Sequence, residues 1–353
     1  MVNKLTQSEH RLPQPTIAGE RPWRQWLLFA FWALSTVGLL VLLWQGDWGF
    51  DRPAAWLGLL ASIACTVGLL RWLPGPSLAA VAGRESTKVV PFALVAVGAT
   101  AVLFALTAVL GRGILFLFVG VAGVAVILRW RRIGRREALY AGGLALVAGV
   151  GGLGAGWISY ISFAGWAVLQ VPLVLAGLLA GWGFLARGGL LKAGIGRSLF
   201  LAEGAGPALR GFAWGAALGL PWALLNVLMG GTAHDRWVTA WWQPLVALQP
   251  GISEEAWGRV FLVSLLFLGL RRWGATRVAL AAAVAIASYW FAYLHTEGGA
   301  AGIVSTALIG TLYSLPLSYV WLRRGLEAAI GFHFFIDFLR FATAYLLGLG
   351  LLG

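Results

Sequence analysis

The sequence predicts an all-α, polytopic bundle of transmembrane helices. Three observations point there. Of its 353 residues, 60% are hydrophobic and only 11% are charged, whereas a soluble domain carries roughly 25% charged residues. Apolar runs about as long as a bilayer is thick recur along the chain without period-2 alternation, which selects helices over barrel strands. Many of its 20 tryptophans stand at the ends of those runs, among them Trp23, Trp26, Trp44, Trp48, Trp241, Trp242 and Trp273. That is the place of an aromatic belt.

Taken in order, residues 1–25 form a polar cytoplasmic tail carrying Pro13, Pro15 and Pro22. The first apolar run is too long for a signal-peptide core and reads as an uncleaved span. With it there are about eleven spans, within a range of nine to twelve, near 26–45, 54–72, 90–110, 113–129, 138–156, 162–186, 211–231, 254–270, 278–297, 301–322 and 326–350. Residues 26–205 make up an N-terminal transmembrane extension of unassigned role, and 206–353 a second unit. Small-residue spacings such as Gly215–Gly219 and Gly348–Gly350 read as close helix packing.

The net charge of +13 is that of basic cytoplasmic loops facing anionic lipid, and no nucleic-acid partner is expected. The clusters "RWRRIGRRE" (129–137), "RGGLLKAGIGR" (187–197), "RRWGATR" (271–277) and "RR" (323–324) alternate with loops poor in Lys and Arg. Eleven spans then place the N-terminus in the cytoplasm and the C-terminus outside. The single cysteine, Cys65, excludes a disulfide framework or a cysteine-rich metal site.

Chemistry gathers in the last hundred residues. In "GISEEAWGRVFLVSLLFLG" (251–269), Glu254, Glu255 and Arg259 head an apolar run; His295 ends "ASYWFAYLH", and His333 and Asp337 lie inside "AAIGFHFFIDFLRF". Ionisable groups at membrane depth are costly and face protein or a wet cavity. These groups suit general acid–base chemistry on a water molecule. Glu255 and Arg259, four apart, share a helix face and can pair. Glu254, one residue earlier, points elsewhere. The Asp337 carboxylate can orient His333, and Phe291 can pack under His295. Duller readings stand beside these. "QPGISEE" is also a helix start with Ser253 as N-cap and acids suiting the dipole. His295 reads equally as an interfacial residue, and His333–Asp337 as a structural pair. His10 and His234 need no special role.

The ordered set Glu254-Glu255-x-x-x-Arg259, Phe291-x-x-x-His295 and His333-x-x-x-Asp337, with the approach "RRGLEAAIGFH", resembles the three-motif pattern of the CAAX protease and bacteriocin-processing (CPBP, or Abi) family of intramembrane proteases. The likeness covers roughly 210–350. It implies a CPBP-like C-terminal core and peptide-bond hydrolysis. Glu254 would be the general base that, with His295, activates a water. Glu255 and Arg259 would position the first helix and the substrate, and His333 and position 337 would face the oxyanion. Position 337 is often Asn in the family and is Asp here. An ionised Asp cannot donate to an oxyanion. Either it is protonated or it only orients His333, and the second is expected.

No cofactor is expected. The alternative is zinc held by Glu254, His295 and His333, although the chain has no HExxH. The expected partners are the lipid bilayer and a peptide or membrane-protein substrate. The other readings are a proton-coupled transporter, against which no inverted repeat is visible, and a non-catalytic scaffold or immunity protein with a degenerate site. The span count carries one conflict. It puts Glu254 and His295 near the outer ends of their helices and His333 on the order of 10 Å from the inner end of its own. For the three to meet, the first two helices must sink, or 301–322 must be short or re-entrant.

Overall fold

A computed structural model describes residues 29–34, 36–37, 53–72, 87–154, 164–230, 232, 235–296 and 299–351. The expected cytoplasmic tail (1–25), His10, His234 and most of the first expected span lie outside the described residues. Within them there are helices and no strand. Six helices are long and apolar enough to cross a bilayer, and shorter apolar helices accompany them. The chain is an integral, multi-pass membrane protein.

The N-terminal part supplies α1 (Pro53–Trp72), α2 (Val89–Leu110), α3 (Ile114–Arg129), α4 (Arg135–Gly154) and α5 (Ala164–Gly188). On α2 and α3 large apolar side chains such as Leu94, Val97, Val102, Ile127 and Leu128 face outward, as a hydrocarbon solvent favours. The short α6 (Leu199–Glu203) leads into α7 (Ala205–Gly230). Beyond a 3₁₀ turn, Gln243–Ala247, comes α8 (Leu248–Glu254), which runs through a π-helical stretch, Glu255–Val263, into α9 (Ser264–Leu270). α10 (Thr276–Tyr293) follows. α11 (Gly299–Ile309) and α12 (Leu315–Arg324) are joined through a second π stretch, Gly310–Ser314, and α13 (Leu326–Gly348) ends the bundle.

α7 and α13 pack backbone to backbone, because glycines line their contact. A Cβ at Gly215 would strike the Ala328 carbonyl, and one at Gly331 the Phe212 carbonyl. The Gly215–Gly219 spacing is thus a packing seam. Gly348 and Gly350 meet no neighbour and carry no such role. The main apolar core runs from Leu103 and Ile114 through Leu178 and Trp182 to Phe261, Trp290, Trp321 and Ile336. The N-terminal helices and the C-terminal unit therefore share one core. Glu327 fastens them further: its carboxylate accepts bonds from Tyr140 Oη (2.8 Å), Ser198 Oγ (2.6 Å), Leu199 N (2.7 Å) and Phe200 N (3.1 Å).

The depth conflict resolves by sinking. Residues 235–247 fold along the far half of α13. Trp237 meets Phe341 edge-on at 5.2 Å, Val238 and Ala247 bury with Phe341 and Ala344, and Arg340 pairs with Asp235 at 2.6 Å. α8 consequently begins inside the bundle, where a Cβ on Gly251 would meet Phe334 N and Ile330 O at 3.2 and 3.3 Å. The helix starts at Leu248, six residues before Glu254, so the Ser253 N-cap reading is corrected. Pro250 falls in the first turn, where its missing N–H costs nothing. Ser253 lies inside the helix and accepts from Gln249 Nε2 at 2.9 Å.

Candidate active site

The six ionisable residues singled out in the sequence meet at one place. Glu255 is fully buried. Its Oε1 lies 3.3 Å from Arg259 Nη1 one helical turn on, and 2.9 Å from His333 Nδ1 across the bundle. Arg259, 2% exposed, donates through Nη2 to Ser314 Oγ at 2.9 Å and lies 4.4 Å from the centroid of the Phe291 ring. The pair therefore ties the first π stretch to the second, to α10 and to α13. A charge this deep persists only when it is paired and hydrogen-bonded, and these bonds supply the pairing.

Glu254 projects differently, as its one-residue offset requires. Its Oε1 is 3.8 Å from His295 Nε2, and its Oε2 is 3.6 Å from His333 Nε2. His333 Nε2 is also 3.6 Å from Asp337 Oδ2. These separations exceed a direct hydrogen bond. A water bonded to both Glu254 Oε1 and His295 Nε2 would sit at the apex of a triangle, about 2.8 Å from each. The His295 ring is fixed by its Nδ1, which donates to the Phe291 carbonyl at 2.8 Å, and by the Phe291 ring at 4.5 Å. Its Nε2 is thereby left as an acceptor toward Glu254. Glu255, accepting from Nδ1, fixes the His333 ring and turns Nε2 to the open side. Asp337, expected to orient His333, stands beyond hydrogen-bond length of it, and Glu255 performs that task.

Glu254, His295, His333 and Asp337 line a cavity of about 550 Å³ within the helices. Its walls are mixed: Trp257, Leu294, Leu308, Leu317 and Phe341 are apolar, while Gln170, Gln249, Ser253, Tyr313 and Arg340 add polar groups. Both π stretches contribute to it, and such stretches recur at functional sites. Among the described residues no group of three or more His, Cys, Asp or Glu side chains is set to hold a metal ion. Glu254 turns its two oxygens to different imidazoles rather than joining them at one point.

Sequence reasoning missed several groups here. Arg340 was open to detection: His333, Asp337 and Arg340 follow a 4-then-3 spacing that sets one helix face. Ser314, which takes the Arg259 bond, and Gln170, far upstream on α5, gave no signal.

No curated protein and no solved structure matches the chain. Residues 236–339, however, match a family model described as type II CAAX prenyl endopeptidase Rce1-like, and all six residues of the site fall within that range. Over this segment the chain is similar to the Rce1-like family, in agreement with the CPBP resemblance of its three motifs.

Proposed function

We propose that this protein is an intramembrane endopeptidase that hydrolyses a peptide bond near the bilayer with a water activated by Glu254. The observation that carries the reading is the placement of Glu254 on the cavity wall, one carboxylate oxygen facing each of two fixed imidazoles. The match of residues 236–339 to the Rce1-like family model supports a CAAX-type protease in general.

Glu254 takes a proton from the water as its oxygen attacks the carbonyl carbon, and His295 Nε2 holds that water in line. A positioned base of this kind contributes roughly 10²–10⁴ in rate. The negative charge that develops on the carbonyl oxygen is met by His333. In its imidazolium form, with Nδ1–H bonded to Glu255, the ring donates Nε2–H into the cavity. Collapse of the tetrahedral species breaks the C–N bond, and Glu254 returns the proton to the leaving amine. Glu255 and Arg259 act through His333 and through helix placement, and are positioning residues. Asp337 places a carboxylate oxygen 3.6 Å from the same Nε2.

Residues 206–353 form the protease unit, 26–205 its membrane extension, and 1–25 a cytoplasmic tail, with the N-terminus inside. Labelling of single cysteines introduced at the loop tips from each side of a vesicle tests that orientation. The activity itself is tested with purified protein and quenched-fluorescent peptides, lipidated and plain, in ¹⁸O-water. Cleavage with ¹⁸O in the new carboxylate, indifferent to chelator, is the expected result. Cleavage lost with chelator and restored by zinc would replace the carboxylate mechanism with a metal centre at Glu254, His295 and His333.

A further inference from the structure

The cavity has one polar wall that the catalytic groups do not account for. Gln170, on α5, lines it, is 1% exposed, and finds no hydrogen-bond partner for Oε1 among the described residues. An orphaned amide in such a place is costly, and it lies outside the segment 236–339 that matches the family model.

Its level in the bundle follows from helix register. Gly177 lies seven residues after Gln170, on the same face. A Cβ on Gly177 would meet Ala256 O at 3.5 Å, and one on Gly181 would strike the Val260 carbonyl. The two helices therefore run side by side in the same direction. Seven residues back from that contact, Gln170 stands level with about residue 249. There Gln249 and Ser253, bonded to each other at 2.9 Å, line the same cavity just before Glu254.

We infer that Gln170 is a substrate-binding residue that holds the main chain of an extended peptide beside Glu254; the inference rests on the endopeptidase reading. A carboxamide presents one acceptor and two donors in a plane. That set pairs with the C=O and N–H of a peptide backbone, whatever the substrate's side chains. The pair fixes which bond reaches Glu254. The N-terminal extension thereby supplies part of the site rather than only a membrane anchor.

The test uses the full chain in detergent, a quenched peptide cleaved by wild type, and inhibitor analogues of it N-methylated at one backbone nitrogen at a time. Gln170→Leu should raise KM about tenfold, with kcat changed less than threefold. Gln170→Glu, which keeps the acceptor, should lose less. One N-methyl position should weaken inhibition of wild type about tenfold and have no further effect on Gln170→Leu, as expected for two halves of one bond. A purely structural glutamine would not give that position-specific coupling. Cleavage abolished by Glu254→Gln but unchanged in KM by Gln170→Leu would overturn this inference and leave the endopeptidase reading intact. Every N-methyl penalty persisting in Gln170→Leu would do the same. A wild type that cleaves no peptide in the set would overturn both.

Discussion

Replacing Glu255 with glutamine tests the buried frame of the site. Glu255 is 0% and Arg259 2% exposed, with 3.3 Å between their charged atoms. At that separation and an effective dielectric constant of about 20, Coulomb's law gives about 5 kcal/mol as the gross attraction. Removing one partner leaves the other charge buried alone, which costs about 3–5 kcal/mol. Glu255→Gln keeps an acceptor for His333 Nδ1, so its loss reports mainly on Arg259. Arg259→Met removes the other charge at similar shape. Each single variant should lose about 3–5 kcal/mol in denaturant titrations followed by tryptophan fluorescence, and the double variant about 2–4 kcal/mol less than their sum. Singles that add to within about 0.5 kcal/mol would refute the claim that the two charges hold each other.

Glu327→Ala should cost about 3–5 kcal/mol in the same titration, because it strands two backbone N–H groups and the Tyr140 and Ser198 hydroxyls at once. Gly331→Ala should lower the thermal midpoint sharply, since its Cβ falls on the Phe212 carbonyl, where neither backbone can yield. Gly98→Ala, with no neighbour within 4 Å, should be neutral or stabilising by up to about 1 kcal/mol. Asp337→Asn should keep peptide cleavage within about tenfold of wild type, since Glu255 rather than Asp337 fixes His333; a loss beyond about 100-fold would assign the carboxylate a direct role.

Much of the site was legible because helical spacing carries geometry. The four-residue step from Glu255 to Arg259 predicted their pairing, and the one-residue offset of Glu254 predicted its separate direction. Both hold in the structure. The convergence of three spans was implied by their motifs but contradicted by span counting. Counting assumes that a helix starts where apolarity starts, and here it fails. Residues 235–247 fall between two expected spans and read as an outer loop, yet they pack along α13 and let α8 begin at depth. Pro250 and Gly251 look like breakers, yet proline is harmless in a first turn and Gly251 is needed for close approach to Phe334. The role of Asp337 was misplaced because an i,i+4 neighbour is visible in sequence, whereas Glu255, which reaches His333 across the bundle from 78 positions away, is not. Neither π stretch is legible, since no residue type or spacing in EAWGRVFLV or GTLYS marks one.

The central claim is that Glu254 is the base. The most direct measurement is the single-turnover rate of peptide cleavage by Glu254→Gln beside wild type, on protein shown by its unfolding midpoint to be folded. Glutamine keeps the size of the side chain and cannot accept the water's proton. The account predicts a rate lower by roughly 10²–10⁴, with substrate affinity retained. A Glu254→Gln protein that cleaves at the wild-type rate would contradict it.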